Sequence, residues 1–144
     1  MQILHPYGTV GDLPWQASGH SPIDFGRTEL DPERLSELVE RIKTFSEQVE
    51  DASSQNRIRD LVTLSETVVF LGFAFHQPNM VLLKTPTASA RRVFGTAYGF
   101  SETDRAEVVS ELEDFFPNAK AVELNGQVRS HDFFWQYRRS LSAQ

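Results

Sequence analysis

The sequence predicts an α/β fold with a small, mostly parallel sheet flanked by helices, and three observations predict it. Thr67-Val68-Val69-Phe70-Leu71 is a continuous β-branched and aromatic run closing on Gly72, apolar on both faces as a central parallel strand is. Two further strand-like runs, Arg91 to Gly95 and Ala121 to Leu124, recur downstream. Helical patterns separate them, and alternation of this kind implies layers of helix on a parallel sheet.

The elements follow in order. Gln2-Ile3-Leu4 is a short apolar piece read as a first strand. A long loop, at about 5–30, is punctuated by Pro6, Gly8, Gly11, Pro14, Gly19, Pro22 and Gly26, with Tyr7, Trp15 and Phe25 available to pin it. Asp31 is a good N-cap, Pro32 suits the first helical position and Glu33 the first turn. Leu35, Leu38, Val39, Ile42, Phe45 and Val49 then form one apolar stripe, opposite a charged outer face. A second helix is expected over Ser54 to Ser65, apolar at Ile58, Leu61, Val62 and Leu64. After the strand ending at Gly72, Pro78-Asn79 opens a short helix, Met80 to Lys84. Ser101, with Asp104 three residues on, caps a helix that buries Val108, Val109, Leu112, Phe115 and Phe116, and Pro117 stops it. Asn125-Gly126 turns the third strand into a last helix, Ser130 to Leu141, apolar at Phe133, Phe134, Trp135, Tyr137 and Leu141. Ligands of parallel sheets sit at the carboxyl ends of the strands. The loops His5 to Gly11, Gly72 to Asn79 and Thr96 to Ser101 are therefore expected on one rim.

Composition narrows the function. The chain has 144 residues, the size of one domain, and is read as a single domain over 1–144. Its net charge of −6 argues against a nucleic-acid partner held through phosphate charge. No cysteine is present, so disulfides, thiolate metal sites and a cysteine nucleophile are excluded. The longest apolar run, Val68 to Phe75, is too short to cross a membrane, and Met1 to Gly8 lacks the marks of a signal peptide. The expectation is a soluble cytoplasmic protein with no membrane partner. No phosphate loop or Gly-x-Gly-x-x-Gly occurs, and no nucleophile elbow surrounds any serine. His5, His20, His76 and His131 are scattered, so no metal site is expected.

Two segments carry more. Leu4-His5-Pro6-Tyr7-Gly8 looks like the Leu-His-Gly motif of sirtuin-like domains with two residues inserted before the glycine. Val69-Phe70-Leu71-Gly72-Phe73-Ala74-Phe75, followed by Pro78-Asn79, looks like the same family's strand running into Gly-x-Ser-Phe and a short helix. The chain thus resembles the bacterial relatives of sirtuins that bind or consume NAD, from Ile3 to about Tyr98. The resemblance implies an incomplete Rossmann-like half-domain, corresponding to the family's C-terminal half. It implies His5 as catalytic base, Gly72, Phe73, Ala74, Phe75 and Asn79 as cofactor-binding residues, and NAD or ADP-ribose as the ligand. Two departures qualify the activity expected. The family's Gly-rich phosphate cradle and Asn-Asp pair have no counterpart here, and its serine is Ala74. A chain without that cradle is expected to be inactive alone, and NAD glycohydrolase-like only if a partner supplies the other half.

The resemblance implies a chemistry in which NAD loses nicotinamide through an oxocarbenium-like centre, and a neutral histidine can take a proton from a ribose hydroxyl or water. Plainer roles compete residue by residue. His5 could be a loop residue beside Tyr7, His76 a solvated residue after a strand, and Gly72 a bend requiring an unusual backbone angle. The Phe133 to Tyr137 aromatics fit a helix docked on the sheet. The Arg91-Arg92 and Arg138-Arg139 pairs fit partners of the excess acid. A second function is therefore carried forward: a non-catalytic assembly module, homo-oligomeric or bound to a partner protein through exposed sheet edges and apolar surface. A third is a small-molecule pocket unrelated to NAD.

Overall fold

The computed structural model describes residues 4–7, 32–42 and 52–142. They belong to two compact units, 1–56 and 57–144. In the first unit, Leu4 and His5 are irregular and Pro6-Tyr7 form a turn. The other two residues of the expected first strand, and the loop beyond Tyr7, lie outside the described residues. Helix α1 spans Pro32–Arg41. Its apolar stripe is not a core face where it is described: Leu35, Val39 and Ile42 are 53%, 66% and 49% exposed. Helical spacing puts residues on one face; it does not supply an element to cover them. Phe45 and Val49 lie outside the described residues. Helix α2, Ala52–Leu64, passes from the first unit into the second. Ile58 is buried and Val62 packs on the core, whereas Leu61 and Leu64 face out.

The second unit is an α/β layer structure built on a three-stranded parallel sheet, with strand order matching chain order. The strands are β1 (Thr67–Phe70), β2 (Arg92–Thr96) and β3 (Ala121–Asn125). Register is continuous, with Val68 opposite Val93 and Val93 opposite Val122, and with Phe70 opposite Gly95 and Gly95 opposite Leu124. Side chains alternate across a strand, so Val68, Phe70, Val93, Ala97, Val122 and Leu124 share one face. Helices α3 (Gln77–Leu83) and α4 (Glu102–Phe115) cover that face through Met80, Leu83, Leu112 and Phe115. Both crossover helices lie on the same side, as successive crossovers of like hand require. Val69 and Phe94 point to the opposite face, against Val128, Phe133, Tyr137 and Leu141.

Gly95 is at the centre of this packing. A Cβ there would stand 2.7 Å from Leu124 Cδ2, 3.0 Å from the Phe70 carbonyl oxygen and 3.1 Å from Phe70 Cβ. The middle strand thus has no side chain at the one position where its neighbours close over it.

Helix α4 begins as its sequence demands. Ser101 Oγ accepts the Asp104 N–H at 3.0 Å, and Glu102 and Asp104 favour the positive end of the helix. Ser101→Ala is expected to cost about 1 kcal/mol, read as a lower urea midpoint at unchanged slope. Arg105, one turn on, donates to the Leu124 carbonyl at 3.2 Å and ties the helix to β3.

The last helix departs from expectation. It is two pieces, α5 (Ser130–Gln136) and α6 (Arg138–Ser142), broken at Tyr137. Tyr137 itself is in the core: its ring stacks on Phe133 at 4.6 Å and meets Phe94 at 5.3 Å, and its hydroxyl accepts from Asn125 Nδ2 at 3.3 Å. Phe134 and Trp135, which sequence grouped with this buried face, are 60% and 72% exposed.

Candidate functional site

The carboxyl ends of β1 and β2 create the site. The chain leaves β1 through Gly72, whose φ of +60° is the left-handed conformation that suits glycine. Its N–H donates to Thr96 Oγ1 at 3.2 Å, which couples the exit of β1 to the end of β2. Three residues later Phe75 is also left-handed, with φ of +53°. A phenylalanine held there costs on the order of 1–3 kcal/mol and persists only where its surroundings fix it. The surroundings are aromatic. Phe75 is buried, with ring centroids 5.4 Å from Phe70, 5.1 Å from Phe73 and 6.0 Å from Phe100. A sharply bent loop is therefore clamped onto the core by its own side chains.

Above this bend is a cavity of about 290 Å³. Gly72, Phe73 and Ala74 line one side, Thr96, Ala97, Tyr98 and Phe100 a second, and Arg129 and Ser130 a third. Arg129 bridges the mouth: its guanidinium donates to the Tyr98 hydroxyl at 2.9 Å and its central carbon lies 4.4 Å from the Tyr98 ring centroid. Backbone at a glycine bend, a hydroxyl, an aromatic ring and a guanidinium thus converge at one small opening. These groups fit the polar part of a nucleotide, which needs close backbone approach, hydrogen-bond partners and a cation.

A larger cavity, about 520 Å³, runs beside β3 between α4 and Tyr137. Its polar groups already face one another. Asn125 donates to Tyr137 and accepts from the Gln127 N–H at 2.9 Å, while Arg105 is turned to Leu124. The smaller opening is the better candidate because it lies where parallel sheets bind ligands and Arg129 meets a neutral hydroxyl there.

Of the residues expected from sequence, Gly72, Phe73 and Ala74 come together here with the Thr96 to Phe100 loop, as the shared rim requires. Phe75 is in the core beneath them. Asn79 is in α3, away from this lining, where its N–H donates to the His76 carbonyl at 2.9 Å. His76 occupies the N-cap position of α3 without a side-chain cap bond and is exposed. His5 belongs to the first unit and is also exposed. Thr96 and Tyr98 belong to a loop expected on this rim but were not named as site residues, and Arg129 was not singled out by sequence. The available signal was position: Thr96 follows a predicted strand, and Arg129 precedes a predicted helix start. The paired arginines do other work, with Arg92 donating to the Ser140 carbonyl and Arg138 to the Trp135 carbonyl. Among the described residues, no three His, Asp or Glu side chains group as metal ligands. No helix there is long and apolar enough to cross a membrane.

No family model, curated protein or solved structure matches this chain.

Proposed function

We propose that the chain is a sirtuin-like, NAD-related domain whose Gly72–Thr96–Arg129 cavity receives the nucleotide part of NAD or ADP-ribose. The observation that carries the reading is the bend at Gly72, tied to Thr96 and facing Tyr98 and Arg129 at the carboxyl ends of two parallel strands. Size sets its extent. Small-molecule sites span about 300–1,000 Å³, so a cavity of about 290 Å³ suits part of a dinucleotide rather than all of it. The finer architecture, an incomplete Rossmann-like half-domain, belongs to the same proposal, as does a cytoplasmic location. His5, in the first unit, is proposed as a proton-accepting base. The 144-residue chain is proposed to turn over little or no NAD alone, because its sequence holds no Gly-rich cradle to preorganise the pyrophosphate.

Calorimetric titration of the purified chain is expected to show ADP-ribose and NAD binding and no heat from nicotinamide. Absence of binding by both nucleotides would remove the reading. Robust NAD turnover at high protein concentration, abolished by His5→Ala, would overturn the inactivity.

A second reading, an assembly module, is favoured by a specific feature. β1 is apolar on both faces, yet Thr67, Val68 and Val69 are only half-buried. Phe134 and Trp135 also stand exposed side by side. On this reading the surface pairs with a second copy or another protein. Sedimentation at increasing concentration separates the possibilities: a mass that stays at one chain counts against assembly with itself.

A further inference from the structure

We infer that Arg129 and Tyr98 form a phosphate-reading clamp, so that the cavity takes a phosphorylated nucleoside and discriminates against the free nucleoside. The inference rests on the nucleotide reading above and names the part of the ligand the site recognises.

The argument begins with which donors are engaged. At a glycine bend after a parallel strand, backbone N–H groups commonly face an anion. Here the Gly72 N–H is already directed to Thr96 Oγ1. The bend thus has one backbone donor fewer for an anion, and Arg129 is the basic side chain in the lining. Its hydrogen bond goes to a neutral hydroxyl, and no carboxylate pairs with it among the described residues. A guanidinium has five N–H donors in a planar fork that matches phosphate oxygens two at a time. In a chain with twenty acidic and fourteen basic residues, this cation is set by position and not by bulk charge.

Its mounting suits the role. The Arg129 backbone is extended, between buried Val128 and the start of α5, and its carbonyl accepts the Asp132 N–H at 3.0 Å. The anchor is firm while the guanidinium stays exposed. Tyr98 holds the fork against its ring and hydroxyl. An exposed cation–π contact is weaker than a bidentate charged pair, so an arriving phosphate draws the guanidinium from the tyrosine without disturbing the fold. The released Tyr98 hydroxyl then becomes a second donor to the same group.

The test is calorimetry on the full chain with adenosine, AMP, ADP-ribose and inorganic phosphate, repeated on Arg129→Ala, Arg129→Lys and Tyr98→Phe. The wild type is expected to bind AMP and ADP-ribose about tenfold or more tighter than adenosine, and inorganic phosphate only weakly. Arg129→Ala should abolish the preference, bringing AMP and ADP-ribose affinity down to that of adenosine, while the melting temperature holds. Arg129→Lys should restore part of the preference, because charge returns without the fork. Tyr98→Phe should lose a smaller share. If AMP affinity is unchanged in Arg129→Ala, the clamp is wrong and the nucleotide reading stands. If the wild type binds none of the nucleoside ligands, the nucleotide reading falls and the clamp with it.

Discussion

Phe116→Ala is expected to remove about 3–5 kcal/mol of stability, a large part of the roughly 5–15 kcal/mol a domain possesses. Phe116 is 1% exposed at the end of α4. Its ring lies 4.7 Å from Phe115 and 6.5 Å from Phe70, joining the helix to the sheet. Its N–H donates to the Leu112 carbonyl at 2.8 Å and its own carbonyl accepts from Ala119 at 2.9 Å, so the backbone turn into β3 is fixed at the same residue. Alanine keeps both backbone bonds and loses only the ring, which makes the experiment a measure of packing. Urea unfolding by circular dichroism is the readout. A loss below about 1 kcal/mol would show that the neighbours collapse into the space. The site should suffer too, since Phe70 packs against Phe75, whose left-handed backbone shapes the loop above.

Gly95→Val is the second large effect. The first added carbon already meets Leu124 Cδ2 at 2.7 Å, which a rotating leucine can relieve. It also meets the Phe70 carbonyl oxygen at 3.0 Å, and that atom belongs to the neighbouring strand's backbone. Relief of the second contact means moving β1 away from β2. Overpacking of a core costs about 1–3 kcal/mol and sometimes more, and the two branches of valine put this case at or above the upper end. The variant is expected to unfold at markedly lower temperature. Gly95→Ala carries the same first carbon and should be milder, and an unchanged melting temperature in Gly95→Val would mean that the strands do not close over this position.

Much of the fold is legible in the sequence because its strands and crossovers are marked locally. A β-branched run ending in glycine, a serine cap before Glu102 and a proline after Phe116 each mark an element boundary at one or two residues. What local pattern could not supply was coverage. Leu35, Val39, Phe134 and Trp135 have the spacing or clustering of core residues but stand exposed, because burial depends on which element arrives to cover them. The break at Tyr137 left no mark in the local pattern, because Phe133, Tyr137 and Leu141 keep helical spacing across it. The site shows the same division. Gly72, Phe73 and Ala74 announce themselves as a strand exit. The Thr96 to Ser101 loop was expected on the same rim, whereas Arg129 joins it only through the path of the chain after β3.

The Arg105 contact with β3 bears on how the protein behaves when concentrated. In a parallel ladder, alternate residues send both backbone groups to the same side. The Ala97 N–H donates to the Asn125 carbonyl, so Asn125 faces β2 and Leu124 faces away from it. The carbonyl Arg105 occupies is therefore one that could otherwise template an incoming chain. A second copy laid antiparallel along that border, pairing Val122 with Leu124, would also oppose Glu123 to Glu123, a like-charge clash. Pairing of two copies in that register is blunted twice, by a guanidinium on the backbone and by a carboxylate that repels its own image.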